Sequence, residues 1–246
     1  MSSYDYCHGI LESLKLKGIA AMLDEAVNKA TTDKISHLDF LKELLVSEVN
    51  HRNERRLQRN LAAAHFPVVK DLDSFDFSRI SGITGEQINN LQDFRWIDQH
   101  ENLMFFGPPG LGKTHLSIAL GLKAIEAGYS VCFERITTLI KLLKTMEIQR
   151  SSTFRINRIM KSSLLIIDEI GYTPIDRKEA NLFFNLISEM YERASVIITS
   201  NKDFDQWSEM MGDEIMTTAM LDRLLHHAHV YSLDGNSYRI QEKKEV

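Results

Sequence analysis

The chain has 246 residues and a formal net charge of −5, which excludes a generally basic nucleic-acid coat. Any DNA binding must come from local basic patches or from an oligomer that aligns them. The two cysteines, Cys7 and Cys132, are far apart in the sequence, which disfavours a zinc site or a disulfide framework. The N-terminus has no secretory pattern, and no apolar run approaches about 18 residues. We therefore expect a cytoplasmic protein without a membrane segment.

The first part of the chain is predicted to be helical. Apolar residues recur at helical spacing from about residue 4 to residue 64, and no proline occurs before Pro67. Ser36 and Asp39 resemble a capping box that opens the longest helix. We predict a small all-helical N-terminal domain over residues 1–66.

Two basic stretches are candidates for DNA binding. The first lies in the long N-terminal helix and contains Arg52, Arg55, Arg56 and Arg59. These arginines either form a solvated face paired with Glu48 and Glu54, or contact phosphates, and the sequence leaves both interpretations open. The second stretch contains Arg150, Arg155, Arg158 and Lys161.

The second part of the chain, residues 67–246, is predicted to be an α/β domain. It begins with Pro67 and a stretch rich in Asp, Ser and Phe, residues 71–81, which is typical of a linker. Apolar runs then alternate with helical patterns, and they occupy residues 103–106, 130–134, 164–168 and 195–200. This alternation predicts a parallel sheet flanked by helices.

A phosphate-binding motif lies between the first apolar run and a helical pattern. Its residues fit G-x-x-x-x-G-K-[S/T] and are Gly107, Pro108, Pro109, Gly110, Leu111, Gly112, Lys113 and Thr114, with His115 next to them. The glycines allow backbone N–H groups to face phosphate oxygens. Lys113 can reach the terminal phosphates, and the Thr114 hydroxyl can coordinate Mg²⁺. We predict binding of ATP together with Mg²⁺.

A pair of acids predicts that the bound nucleotide is hydrolysed. Asp168 and Glu169 follow the third apolar run, where Asp168 would hold the Mg²⁺ shell and Glu169 would orient and deprotonate the attacking water. An alternative function is that of a small-molecule kinase, in which Asp168 and Glu169 would serve a phosphate acceptor. The adjacent acids and Arg223, far down the chain, disfavour the kinase.

Two further residues are candidate members of the catalytic site. Asn201 follows the fourth apolar run, where it could hydrogen-bond the terminal phosphate or the water, although asparagine is also an ordinary turn residue. Arg223 lies in an apolar helical segment. It is either paired with Asp222 or offered to the nucleotide of a neighbouring subunit.

Three histidines near the C-terminus, His226, His227 and His229, raise the question of a metal site. No carboxylate or cysteine accompanies them at ligand spacing in the sequence. We expect them to be surface or interface residues.

These features together resemble the IstB-like transposition helper ATPases, relatives of the DnaC helicase loaders and DnaA initiators in the AAA+ group. The resemblance covers most of the chain. It rests on both nucleotide motifs, Asn201, the segment Leu221-Asp222-Arg223-Leu224, the arginine-bearing N-terminal helix and the ending Ser237-Tyr238-Arg239.

The resemblance implies an AAA+ P-loop fold that follows the helical domain in the chain. It also implies an ATP-dependent homo-oligomer that binds double-stranded DNA and works with a cognate transposase. It also implies that Lys113, Glu169, Asn201 and Arg223 serve catalysis, with Arg223 acting in trans. The chain ends about where many AAA+ proteins begin a helical lid with a second sensor arginine, for which Arg239 is the candidate. The alternative is a helicase loader, which has the same nucleotide site but a replicative helicase as partner.

Overall fold

A computed structural model describes residues 2–235 and 237–238 of the chain. The chain divides into two compact units, Met1–Arg59 and Asn60–Val246. The division falls inside the long helix, before the domain boundary that the sequence predicts at residues 66 and 67. Within the described residues, no helix is both long and apolar enough to cross a membrane.

The first unit is helical. It contains α1 (Ser3–Ser13), α2 (Lys17–Asp33) and the greater part of α3 (His37–Ala64). The start of α3 is fixed by Ser36, whose Oγ accepts a hydrogen bond of 3.1 Å from the backbone N–H of Asp39.

The small core of this unit lies between α2 and α3. It is formed by Ile19, Leu23, Ala26 and Leu44. At Gly18 the helices approach so closely that a Cβ atom would lie 2.7 Å from the Cα of Glu48. The Glu48 carboxylate accepts hydrogen bonds from the N–H groups of Gly18 (2.7 Å) and Ile19 (3.3 Å), which satisfies the N-terminus of α2.

The second unit alternates strands with helices. Its elements in chain order are β1 (Ile80–Ser81), α4 (Gly85–Asn90), α5 (Arg95–Asp98), β2 (Asn102–Phe106), α6 (Lys113–Glu126), β3 (Val131–Arg135), α7 (Ile136–Thr145), α8 (Arg150–Ile159), β4 (Leu164–Ile170), α9 (Arg177–Met190), β5 (Ser195–Ser200), α10 (Trp207–Met211), α11 (Glu214–Leu225), β6 (Ala228–Ser232) and β7 (Asp234–Gly235).

Five of these strands form a parallel sheet in the order β3-β4-β5-β2-β6. Strands β2 and β5 are buried along their whole length, because helices cover both faces of such a sheet. The carboxyl ends of the strands meet at one edge, where ligands of open α/β sheets bind. The predicted parallel sheet flanked by helices is therefore confirmed.

Two features of this unit differ from the sequence-based expectation. The edge strand β6 was not predicted, since it carries no continuous apolar run. The predicted linker, residues 71–81, is folded rather than free: Phe75 is buried, and β1 pairs antiparallel with β7.

Candidate active site

The phosphate-binding loop connects β2 to α6 at the carboxyl edge of the sheet. Gly107, Gly110 and Gly112 have φ values of +131°, +88° and +84°, which glycine adopts without strain. At Gly112 a Cβ atom would also lie 2.4 Å from the ring of Phe75. The loop therefore needs glycine, and it brings the N-terminus of α6, where helix N–H groups can bind phosphate, to the site.

Lys113 and Thr114 open α6 and point into the same cleft. The Lys113 ammonium donates hydrogen bonds to the carbonyl oxygens of Gly107 (2.6 Å) and Pro108 (2.8 Å). The Thr114 hydroxyl donates a bond of 2.8 Å to Oδ1 of Asp168. Residues 54 positions apart in the sequence are thus in direct contact.

Asp168 is only 1% exposed and accepts a second hydrogen bond, of 2.5 Å, from Thr199 Oγ1. Thr199 also accepts a bond of 3.0 Å from the backbone N–H of Glu169, so one hydroxyl on β5 positions both acids. Oxygen donors such as the Thr114 hydroxyl and the Asp168 carboxylate are the ligands that Mg²⁺ prefers, usually alongside phosphate oxygens and water. The residues present therefore fit a magnesium ion.

Glu169 differs from Asp168 in both backbone and exposure. Its φ is +67°, in the left-handed region, and its side chain is 40% exposed. The carboxylate forms an ion pair of 3.3 Å with the Nε of Arg135, at the end of β3. Arg135 was not predicted from the sequence, because nothing in its local pattern connects β3 to β4.

Asn201 directly follows β5 and lies beside Gly171. A Cβ atom at Gly171 would lie 2.5 Å from the Asn201 Oδ1, which is buried and has no hydrogen-bond partner among the described residues. Thr199 and Ser200 line the cleft, whereas Asn201 is not among its described lining residues.

The folded linker forms one wall of the cleft. The ring of Phe75 lies 5.2 Å from that of His115 and 5.8 Å from that of Tyr238. The Nε2 of His115 lies 2.6 Å from the carbonyl oxygen of Asp71, which accepts the bond. Burial raises the pKa of Tyr238. Arg239, the candidate second sensor, lies outside the described residues.

The cleft as a whole has a volume of about 530 Å³. It brings together the predicted Gly110, Gly112, Lys113, Thr114, His115, Asp168 and Glu169. Residues that line it and were not predicted from the sequence include Pro67, Val68, Lys70, Ser74, Phe75, Arg135, Tyr172 and Thr199.

Arg223 lies on α11, outside the described lining of this cleft. Its Nη1 donates to the carbonyl oxygen of Ala219 (2.7 Å), and its guanidinium carbon lies 5.0 Å from the centre of the Phe184 ring. The ion pairs of the described residues do not include one between Arg223 and Asp222. The described ion pairs therefore do not support the interpretation of Arg223 as half of an ion pair with Asp222, and its role stays a prediction.

The second basic stretch requires a correction. Arg150, Arg158 and Lys161 are exposed, but Arg155 is buried. Its guanidinium pairs with Glu134 at 2.5 Å and donates to the carbonyl oxygens of Ala63, Phe133 and Ala64 at 2.7, 3.1 and 3.3 Å. Arg155 is thus a structural residue that binds carbonyl groups at the end of α3, and it does not belong to an exposed DNA-binding patch.

The first stretch is exposed throughout, but its members differ. Arg52 forms an ion pair of 2.7 Å with Glu48. Among the described residues, Arg55, Arg56 and Arg59 have no acidic partner within ion-pair distance.

The fold and the cleft define an ATP-binding protein of the AAA+ class. Residues 9–246 match the profile of the IstB-like ATP binding protein family, and the chain belongs to this family. It is 39% identical to an ATP-binding protein of the insertion sequence IS21 from Pseudomonas aeruginosa, over 96% of this chain and 89% of that protein. It is 37% identical to an ATP-binding protein of IS5376 from Geobacillus stearothermophilus, over 98% and 94%.

Solved structures of similar fold come from replication proteins. A crystal structure of DnaI has a TM-score of 0.56 and 18% identity, covering 67% of this chain and 91% of that one. The DnaC helicase loader has a TM-score of 0.51 and 19% identity, covering 67% and 96%. These similarities support the AAA+ fold.

Proposed function

We propose that this protein hydrolyses ATP in a homo-oligomer bound to double-stranded DNA, and that it thereby selects, remodels or delivers target DNA for a cognate transposase in the cytoplasm. The observation that carries the proposal is that Lys113, Thr114, Asp168 and Glu169 meet in one cleft of a chain whose family belongs to insertion sequences. We assign DNA and partner binding to residues 1–66 and ATP hydrolysis to residues 67–246.

In this proposal the residues of the cleft position the nucleotide and a water. Lys113 leaves the loop carbonyls and places its positive charge at the terminal phosphates, while the N–H groups of the glycine loop hold the remaining phosphate oxygens. Thr114 and Asp168 would hold Mg²⁺, which would supply positive charge to stabilise the phosphates. Glu169 orients the attacking water and accepts its proton.

Two residues outside the cleft complete this proposal. The Asn201 Oδ1, beside Gly171, has no hydrogen-bond partner among the described residues, and we assign its side-chain amide to the water or the terminal phosphate. Arg223 is held on α11 outside the cleft of its own chain, which is compatible with a guanidinium offered to a neighbouring subunit.

The alternative of a helicase loader has less support. It depends on structural similarity to DnaI and DnaC at 18% and 19% identity, which concerns the fold alone. The relatives at 39% and 37% identity are insertion-sequence proteins and match nearly the whole chain. The residues of the nucleotide site would be the same in either case, so the partner must be tested directly.

The test combines two variants of this protein with the proposed cognate transposase. Wild-type protein should hydrolyse ATP, assemble on duplex DNA when ATP is present, and increase transposase-catalysed insertion. Lys113→Ala should lose nucleotide-dependent assembly, because a phosphate counter-charge is removed. Glu169→Gln should still bind ATP and DNA but hydrolyse at least about 10²-fold more slowly, since only the base is lost.

Each part of the proposal can fail separately. Hydrolysis by Glu169→Gln at the wild-type rate in a phosphate-release assay would remove Glu169 as the base. Insertion that is unchanged when the protein is omitted would remove the transposase as partner. Stimulation of a replicative helicase instead would favour the loader.

A further inference from the structure

Three metal-ligating side chains lie together away from the nucleotide cleft. They are Glu192, just after α9, and His226 and His227, just after α11. Their candidate ligand atoms all lie within 4.8 Å of one another. The sequence disfavoured a metal because no carboxylate accompanies these histidines locally, and that reasoning fails because the fold brings Glu192 to them. We propose that Glu192, His226 and His227 bind a divalent transition-metal ion of the zinc class.

The geometry around His226 suits a metal ligand. The Tyr191 hydroxyl lies 2.7 Å from the Nδ1 of His226. In the tautomer that suits a metal, Nδ1 carries the ring proton and donates it to this hydroxyl, which leaves the lone pair of Nε2 to coordinate. Metal-binding histidines generally have such a partner on their second ring nitrogen, which fixes the ring orientation. The rings of His226 and His227 have centroids 4.0 Å apart.

The local electrostatics also favour a cation. His226 is the C-cap of α11, where the partial negative charge of the helix end attracts positive charge. The carboxylate of Glu192 adds a full negative charge, and Asp222 lies close enough to influence Tyr191 electrostatically. The nearby positive charge of Arg223 opposes a metal, and its neutral partners, the Ala219 carbonyl and the Phe184 ring, hold the guanidinium in place without neutralising that charge.

The donor set selects the class of ion. Two imidazole nitrogens and one carboxylate suit Zn²⁺ and its neighbours Co²⁺ and Ni²⁺, whereas Mg²⁺ and Ca²⁺ prefer oxygen ligands. Three protein ligands leave a fourth position for water. Tetrahedral bonds of about 2.0–2.1 Å require ligand atoms about 3.3 Å apart, which exposed side chains can reach by rotation about their side-chain bonds.

A bound ion would join the turn after α9 to the end of α11. His229 does not take part, since its Nε2 lies 2.7 Å from the Glu101 carboxylate. Because His229 is paired with Glu101 and lies outside the proposed ligand set, it provides a matched control. His229→Ala removes a neighbouring exposed histidine without changing the proposed ligand set.

The test is a titration of the full chain with Co²⁺, followed by competition with Zn²⁺. Saturating Mg²⁺ is included to occupy the Thr114 and Asp168 site, and the pH is kept above the ordinary histidine pKa of about 6.5. We expect one ion per chain, with the visible absorption of four-coordinate Co²⁺ and its displacement by Zn²⁺. Zn²⁺ should also raise the melting temperature of the wild-type protein.

The variants decide whether these three residues are the ligands. Glu192→Gln, His226→Ala and His227→Ala should each weaken binding at least tenfold, and His229→Ala should leave it unchanged. All three residues are exposed, so the folds should survive; circular dichroism checks this, with His226→Gln and His227→Gln as milder replacements. Absence of binding, or binding that persists in all three ligand variants, would overturn the proposal.

Discussion

Arg135 is the residue most directly placed to control Glu169. The ion pair between them joins two partly exposed side chains at 3.3 Å, at the mouth of the cleft. A carboxylate held by a guanidinium is less free to face the attacking water. The exposed pair is worth at most about 1 kcal/mol, so it can open readily when nucleotide binds.

We predict that Arg135→Ala raises the ATPase rate measured without DNA. A pair worth up to about 1 kcal/mol limits the increase to about fivefold. Arg135→Lys keeps the positive charge and serves as the control, with a rate close to that of the wild type. A rate that falls tenfold or more in Arg135→Ala would show instead that Arg135 supports the phosphates.

Arg155 illustrates how a residue can be misassigned from charge alone. Its basic neighbours on α8 are exposed, but Arg155 faces the interior and pairs with Glu134, each side chain being 8% exposed. The sequence of α8 alone does not show which of its arginines faces the interior and which faces solvent. The partners Glu134, Ala63 and Ala64 come from distant segments, and only the fold reveals them.

We predict that Arg155→Met destabilises the protein by about 3 to 5 kcal/mol, because it leaves the Glu134 carboxylate buried without its partner. Urea unfolding of the purified variant measures the change. Arg158→Ala, one turn along the same helix and exposed, should change stability by less than about 0.5 kcal/mol. Equal effects of the two variants would contradict the assignment of Arg155 to the interior.

At the scale of elements, the sequence predicts the central strands well. Apolar runs fix β2, β4 and β5 because each is buried on both faces, and glycine spacing fixes the loop before α6. Strand β6 could not be predicted, because all five of its residues are exposed or half-buried at the sheet edge.

The site is predictable only where its residues are adjacent in sequence. The glycine loop, Lys113 and Thr114 form one motif, and the two acids form another. Arg135, Thr199 and Phe75 join the site through neighbouring strands and the folded linker, so their roles depend on strand order. No local pattern contains that information.

Helix α3 carries the arginine cluster proposed to bind DNA. Arg52 is engaged by Glu48, which in turn holds the N-terminus of α2. The other three members, Arg55, Arg56 and Arg59, are therefore better placed to contact phosphates. In the proposed function, several subunits together supply such contacts, because a single chain carries a net charge of −5.

We predict that replacing Arg55, Arg56 and Arg59 together by alanine weakens DNA binding and flattens its dependence on salt. If each side chain neutralises one phosphate, the slope of log affinity against log salt should fall by up to about 2.7 per subunit. Fluorescence anisotropy over a salt series measures this. Lys42→Ala, a single charge loss on the same helix, should have little effect. An unchanged slope in the triple variant would move the DNA site elsewhere.

At the scale of the whole molecule, the position of Arg223 bears on how subunits would cooperate in hydrolysis. Within one chain, Arg223 lies outside the described lining of the cleft that holds Lys113 and Glu169. Its contacts with Ala219 and Phe184 hold it on α11 without using an acidic partner. If it serves hydrolysis, it must do so in an adjacent subunit, and a mixture of two defective proteins can reveal this.

We predict that Arg223→Ala binds ATP with nearly wild-type affinity but does not hydrolyse it, since its own cleft is intact and only the residue offered to the neighbour is lost. Lys113→Ala should be inactive for the opposite reason. In a mixed assembly, an intact Arg223 on the lysine variant can face an intact cleft on the arginine variant, so mixing should restore part of the activity.

The test measures phosphate release across mixing ratios, and light scattering establishes that mixed assemblies form. Mixed assemblies without any recovery would instead assign Arg223 to the packing of α11 against Phe184.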